Sequence, residues 1–253
     1  MGKLQSKVVV ITGASKGLGR ALALACAREG ARLAISARGK EALDAVQAEI
    51  DLIGADVLAV VGDMSVARDV ERFVASTEAH YGRIDVLINN ASILGPSPMP
   101  YLLDYPEEDF AEVLHVNTIG PFLVTRRVLP GMLQRSSGSV INITSSAGNV
   151  GYAGWGAYGV SKFALEGLTE TWADEVQDTG VRVNMIDPGE MDTAMHTFAV
   201  PDCDYELADP SVVAEVIVYL ASDAAANIHG QRLSAEEFAV WGGTSYADGS
   251  IQI

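Results

Sequence analysis

The chain has 253 residues, of which 49% are hydrophobic and 20% are charged, and its formal net charge is −16 at pH 7. This size and composition are typical of a globular protein with one large core, so we expect a single domain over residues 1–253. The negative charge argues against a nucleic-acid partner, since binding to phosphate backbones needs a basic surface.

The two cysteines, Cys26 and Cys203, form neither a disulfide framework nor a metal-binding pattern, and we expect no metal. The apolar run from Val8 to Ile11 is too short for a secretory signal, and no run reaches transmembrane length. We therefore expect a cytoplasmic protein without a membrane partner.

Short aliphatic runs alternate with longer amphipathic stretches, which indicates repeated strand-helix-strand units around a parallel sheet. Some strand runs, such as Val8 to Ile11, are continuously apolar, as in strands covered on both faces. This predicts an α/β fold whose central, doubly wound parallel sheet has helices on both faces. The predicted strands are 7–12, 31–37, 56–62, 84–89, 138–144, 181–187 and 230–235. The predicted helices are 17–29, 39–53, 66–81, 107–134, 155–178 and 210–222.

Two irregular stretches follow predicted strands. Residues 95–100 are rich in proline, and residues 190–209 follow strand six and lead into Pro210. Ligands of such sheets bind beyond the carboxyl ends of the strands, so both stretches should border the site. We predict that 190–209 is a mobile substrate flap.

Three glycines, Gly13, Gly17 and Gly19, lie where the first strand turns into the first helix. Without a Cβ, they let the backbone and the helix N-terminus approach a pyrophosphate closely. Such a pattern alone also fits a simple tight turn. Its position directly after the first strand favours nucleotide binding.

The second strand ends Ile35-Ser36-Ala37-Arg38, without the acidic residue that would bind the ribose 2′-hydroxyl of NAD. Arg38, together with Ser36 and Lys16, instead suits a 2′-phosphate, since guanidinium pairs with phosphate through two hydrogen bonds. We therefore predict NADP(H) over NAD(H). The alternative is that Arg38 and Lys16 are two solvated surface charges.

Tyr158 and Lys162 are four residues apart, and Ser145 lies thirteen residues before the tyrosine. In a helix this spacing puts the phenol and the ammonium on one face. A nearby cation favours phenolate, so we expect the pKa of Tyr158 to fall below its usual value of about 10, which suits proton transfer. Taken alone, the pair also fits an ordinary helix surface.

Further motifs accompany these residues in a fixed order along the chain. Taken together they resemble the short-chain dehydrogenase/reductase family over nearly the whole chain, which implies a Rossmann fold. The matching segments are Thr12 to Gly19, Asp63, Asn89 to Ser92, Asn117, Ser145, Tyr158, Lys162, Asn184 to Gly189, and Thr193.

The resemblance implies a role for each catalytic residue. Tyr158 donates a proton to the carbonyl oxygen or removes it from the alcohol, and Ser145 hydrogen-bonds that oxygen. Lys162 lowers the pKa of Tyr158 and holds the nicotinamide ribose, and Asn117 anchors a water that links Lys162 to solvent. The implied cofactor-binding residues are Gly13, Ser15, Lys16, Gly17, Leu18, Gly19, Ser36, Arg38, Asp63, Met64, Asn90, Ala91, Tyr158, Lys162, Pro188, Gly189 and Thr193.

Some positions keep a second interpretation. Ser146 is an alternative to Ser145, Asn117 also fits a polar residue that kinks a helix, and Asp63 also fits a helix cap. Two features depart from the family: Ser92 replaces a glycine, and Leu233 to Phe238 occupies the stretch where members often have Asp-Gly-Gly. The tail then continues to Ile253, which leaves open how the C-terminus packs between subunits.

The expected function is hydride transfer between NADP(H) and a carbonyl or alcohol substrate. A lipophilic ketone or aldehyde is favoured by seven apolar residues near the expected pocket, namely Ile93, Leu94, Tyr152, Trp155, Met191, Met195 and Phe198. No phosphate- or carboxylate-binding group is evident, although His196 is a candidate contact for such an anion. The alternatives are a cofactor-binding regulator or scaffold, and an epimerase or dehydratase. The family resemblance implies a homotetramer or homodimer built through helices 107–134 and 155–178.

Overall fold

The computed structural model describes the backbone of residues 2–241 and the side chains of residues 2–238. Seven parallel strands form one sheet in the order β3-β2-β1-β4-β5-β6-β7. They are β1 Val8–Thr12, β2 Arg32–Ala37, β3 Val57–Val61, β4 Val86–Asn89, β5 Gly138–Ile143, β6 Val181–Asp187 and β7 Arg232–Ser234. The chain runs outward from β1 in both directions, so the predicted doubly wound sheet is confirmed.

Helices cover both faces of this sheet, which explains the continuously apolar strands. They are α1 Gly17–Arg28, α2 Lys40–Ile53, α3 Ala67–Tyr81, α4 Glu107–Leu114, α5 Gly120–Gln134, α6 Gly156–Glu175, α7 Ala194–Ala199, α8 Pro210–Ala221 and α9 Ala235–Trp241. One core lies under α1, α2 and α8 and contains Leu22, Leu43 and Ile217. The other lies under α3 and α5 and contains Phe73 and Met132.

Three local features differ from the sequence-based prediction. The single helix expected over 107–134 is interrupted by a π-helical turn, His115–Ile119, after which Gly120 and Pro121 open α5. The flap region 190–209 contains a helix, α7, rather than loop alone. The last strand is only three residues long and leads directly into α9, within the stretch where Asp-Gly-Gly is common in the family. The tail beyond Trp241, whose packing the sequence left open, lies outside the described residues.

Among the described residues, no helix is both long and apolar enough to cross a membrane. Within the same part of the chain, no three His, Cys, Asp or Glu side chains lie together as candidate metal ligands.

Candidate active site

A cleft of about 1000 Å³ opens at the carboxyl ends of β1, β2, β4, β5 and β6. The order in which successive strands are added to the sheet reverses between β1 and β4. Ligands of open parallel sheets usually bind at this point. All the predicted catalytic and cofactor-binding residues line this cleft except Asn117. The fold thus gathers residues from positions 13 to 193 into one site.

The loop after β1 is fastened to the loop after β4. The Thr12 hydroxyl accepts hydrogen bonds from the N–H groups of Asn90 and Ala91, at 3.0 and 3.1 Å. The Asn90 amide in turn donates to the carbonyls of Thr12 and Gly13. Gly13 has φ +68°, and a Cβ there would lie 2.7 Å from the Ala91 Cα. Only glycine allows this approach, so the motif is required by backbone geometry.

The N-terminus of α1 faces the cleft. The helix opens with Gly17, Leu18 and Gly19, all lining the cleft, with Lys16 and Ser15 just before them. A helix N-terminus carries partial positive charge and free N–H groups, and Lys16 adds a full charge at its edge. The arrangement fits an anionic group such as a pyrophosphate.

At the end of β2, the Ser36 hydroxyl is fully buried and has no hydrogen-bond partner among the described residues. Arg38 lies beside it with its side chain 58% exposed, and its Nη1 is 3.9 Å from a carboxylate oxygen of Asp63. An unpaired buried hydroxyl next to an exposed guanidinium fits a phosphate on an adenosine ribose.

Asp63 is held in its charged form. Burial opposes ionisation, but hydrogen bonds from the Ser65 hydroxyl and N–H and the charge of Arg38 outweigh burial and lower the Asp63 pKa. Met64, which is buried next to it, completes this wall of the cleft. Asp63 is therefore an acceptor positioned beside Arg38.

Tyr158 lies in the first turn of α6 and is only 8% exposed. Its hydroxyl interacts with the side chain of Ser145, which lies two residues beyond the end of β5. Burial raises the pKa of Tyr158 to about 12, although the interaction with Ser145 acts in the opposite direction. The phenol is therefore protonated at neutral pH, as a proton donor must be.

Lys162 lies one turn further along α6, as the spacing predicted. Its Nζ donates to the Ile143 carbonyl at 2.8 Å and lies 5.4 Å from the centroid of the Tyr158 ring. Burial lowers the Lys162 pKa to about 8, against the opposing charges of Asp187 and Glu166. We expected Lys162 to bring the pKa of Tyr158 below its usual value. This expectation is wrong, because burial of the phenol has the largest effect on its pKa and raises it.

Asn117 lies behind the cleft wall, in the π-helical turn, and is 1% exposed. Its side-chain oxygen accepts from the Ile93 N–H, and its amide nitrogen donates to the Ile93 carbonyl and to the Ser161 hydroxyl. The side chain therefore fastens the loop after β4 to α6. A water link to Lys162 through Asn117 stays a prediction.

An ionic cluster behind Ser145 was not predicted from the sequence. Arg232 on β7 donates from Nε to Glu166 on α6 at 3.0 and 3.2 Å. Its Nη2 donates to the Ser145 carbonyl at 3.0 Å and to Asp187 at 3.4 Å. Sequence separations of 45 to 87 residues hide these contacts from local patterns. The cluster holds the backbone of Ser145 from behind.

The loop after β6 closes one side of the cleft. Asp187 accepts a hydrogen bond from the Gly189 N–H, and Pro188 lies between them in the cleft wall. The Thr193 hydroxyl accepts from the His196 N–H and so caps α7. A Cβ at Gly17 would lie 3.4 Å from the Thr193 methyl, so the start of the flap approaches the glycine loop.

Six of the seven predicted apolar residues line the cleft, and Phe198 does not. They are Ile93, Leu94, Tyr152, Trp155, Met191 and Met195. Phe198 is 51% exposed on α7, where its carbonyl accepts a hydrogen bond from the Ser97 hydroxyl of the proline-rich loop. The two irregular stretches therefore meet at the mouth of the site. The expectation that Phe198 belongs to the pocket is not met, because α7 turns its side chain outward.

A family model described as short chain dehydrogenase matches residues 7–204. The chain belongs to this family. It is 36% identical over 239 residues to the 3-oxoacyl-(acyl-carrier-protein) reductase FabG of Thermotoga maritima, covering 90% of this chain and 96% of that one. This short chain dehydrogenase is therefore an oxidoreductase of a family that uses a nicotinamide cofactor.

Solved structures agree with this assignment. A short chain dehydrogenase from Escherichia coli CFT073, complexed with NADPH, is 32% identical, covers 92% of this chain and 98% of its own, and has a TM-score of 0.87. Actinorhodin polyketide ketoreductase with NADPH is 30% identical, covers 90% and 95%, and has a TM-score of 0.85.

Proposed function

We propose that this short chain dehydrogenase reduces a ketone or aldehyde with NADPH, and catalyses the reverse oxidation when the alcohol is in excess. The observation that carries the proposal is the pair of Tyr158 and Ser145, whose side chains interact in the wall of the cleft. A protonated phenol and a serine hydroxyl are the two donors that a carbonyl oxygen needs as negative charge develops on it.

The nicotinamide supplies the hydride when the cofactor is bound. Tyr158 transfers its proton to the carbonyl oxygen, while the Ser145 hydroxyl donates a hydrogen bond to the same oxygen. The resulting phenolate is stabilised by the charge of Lys162, which is mostly protonated at neutral pH with a pKa of about 8. The Ile143 carbonyl holds Lys162 in place, and Arg232 holds the backbone of Ser145.

NADP(H) is the proposed cofactor, in preference to NAD(H). A 2′-phosphate would meet two cations, Arg38 and Lys16, and the unpaired hydroxyl of buried Ser36. Two similar proteins were solved with NADPH, which supports the same preference.

The proposed substrate has a lipophilic body, because Leu94, Trp155 and Met195 form an apolar wall around Tyr158. Relatives named as a 3-oxoacyl reductase and a ketoreductase support a ketone.

We also propose a homodimer or homotetramer built through α5 and α6, since Val160 and Phe163 leave apolar surface exposed on α6. One domain and a cytoplasmic location stay predictions.

The test measures NADPH consumption over a panel of ketones, aldehydes and diketones, with the Tyr158→Phe variant in parallel. Loss of the proton donor should lower kcat by at least about 100-fold while the dissociation constant of NADPH changes little. Tyr101→Phe is the matched control, because Tyr101 is 67% exposed and lies outside the cleft wall. Turnover that is unchanged in Tyr158→Phe would refute the proposed mechanism.

A further inference from the structure

His196 is a buried polar side chain that the proposed reaction does not use. It lies on α7 and lines the same cleft as Tyr158, with its side chain only 10% exposed. Both ring nitrogens are buried, and neither has a hydrogen-bond partner among the described residues. Buried polar atoms are usually paired, so an imidazole with two free nitrogens in a binding cleft calls for a ligand.

The groups nearest to the imidazole do not pair with its nitrogens. A carboxylate oxygen of Glu190 lies 3.8 Å from Nε2, beyond hydrogen-bond distance. The Tyr205 ring packs edge-on against the imidazole with the centroids 6.3 Å apart, and its hydroxyl is hydrogen-bonded to Glu190. These contacts fix the orientation of the ring.

His196 is close to the reaction centre through its own helix. Met195 and Ala199, on the same helix, pack against the cluster of Tyr158, Leu94 and Ala147. A substrate whose carbonyl reaches Tyr158 therefore lies against the helix that carries His196.

The charge beside His196 restricts what it binds. The Glu190 carboxylate, 3.8 Å from Nε2, repels an anionic substituent that approaches the ring. A neutral imidazole has one donor and one acceptor nitrogen, which suits a hydroxyl or a second carbonyl. We infer that His196 binds an uncharged hydroxyl or carbonyl group of the substrate, in addition to the carbonyl that is reduced. This inference rests on the proposed carbonyl reduction.

The test compares ketones that share one ring: cyclohexanone, 4-hydroxycyclohexanone, 1,4-cyclohexanedione and 4-oxocyclohexanecarboxylate. The wild-type enzyme should favour the hydroxyketone and the dione over cyclohexanone by about tenfold in kcat/KM, as expected for one buried neutral hydrogen bond, and should disfavour the carboxylate. His196→Leu should remove the preference and leave cyclohexanone reduction nearly unchanged. His196→Asn or His196→Gln, which return a polar nitrogen, should restore part of it.

Thr197→Ala is the matched control, since Thr197 is exposed on the same helix and lies outside the cleft wall. It should keep the wild-type preference. Equal kcat/KM for the first three ketones, an equal loss for all of them in His196→Leu, or a changed NADPH dissociation constant in that variant would overturn the inference. Failure to reduce any ketone of this set or of the wider panel would instead refute the proposed function.

Discussion

Replacing Lys162 by methionine should make the protein more stable at neutral pH while it abolishes turnover. Lys162 is 3% exposed, and burial lowers its pKa from 10.5 to about 8. Each tenfold change in an ionisation equilibrium corresponds to about 1.4 kcal/mol, so keeping the lysine charged in the folded state costs about 3 kcal/mol at pH 7. Methionine has a similar length and carries no charge.

The gain is smaller than the full cost of burying the charge. The Lys162 Nζ donates to the Ile143 carbonyl, and losing that hydrogen bond leaves the carbonyl unpaired at a cost of about 1 kcal/mol. Lys162→Met should therefore raise the free energy of unfolding by about 2 kcal/mol at pH 7. Between pH 8 and 10.5 the unfolded wild-type chain holds a proton that the folded chain has lost, so wild-type stability rises with pH. The advantage of the variant should disappear over that range.

Urea unfolding of both proteins at pH 7, 8, 9 and 10 measures this difference. Lys40→Met is the matched control, because the Lys40 side chain is 72% exposed and its pair with Asp44 is a surface pair. The control should change stability by less than about 0.5 kcal/mol at every pH. A Lys162→Met variant that is less stable than wild type at pH 7, or a difference that is independent of pH, would refute the reasoning.

Three further substitutions test the cleft. Arg38→Ala should weaken NADPH binding by about 10-fold or more and change NADH binding little, as measured by fluorescence titration; equal losses for both would contradict the assignment of NADP(H). Gly13→Val should abolish cofactor binding, since φ +68° and a Cβ contact of 2.7 Å admit no side chain; retained binding by calorimetry would count against the loop geometry. Arg232→Met should lower the free energy of unfolding by about 2–4 kcal/mol, because it removes the ionic partner of Glu166. It should also lower kcat more than it raises KM, and Arg232→Lys should partly restore both. An unchanged kcat would show that Arg232 does not support Ser145.

Much of the fold was predictable because strands buried on both faces leave a continuous apolar run, as from Val8 to Ile11. The π-helical turn at 115–119 was not, since one shifted hydrogen bond leaves little trace in the hydrophobic periodicity of the surrounding helices. The three-residue β7 and the helix in the flap are too short to give a clear periodic pattern.

The residues of the site likewise include some that were predictable from the sequence and some that were not. Positions close in sequence, such as Tyr158 and Lys162, were predictable from helical spacing, and the glycine loop from its place after β1. The role of Arg232 depends on contacts across 45 to 87 residues, which spacing does not encode. The direction of the Tyr158 pKa was predicted wrongly because it depends on how deeply the fold buries the phenol, which no local pattern reports.

The transfer of deuterium tests the central claim most directly. The enzyme is incubated with a ketone from the panel and with NADPH carrying deuterium at the transferable position of the nicotinamide, and the alcohol is analysed by mass spectrometry. Hydride transfer to the carbonyl predicts one deuterium on the new carbinol carbon, and at least about 100-fold slower formation of the alcohol by Tyr158→Phe under the same conditions. An alcohol without deuterium, or NADPH consumed with no alcohol formed, would contradict the account.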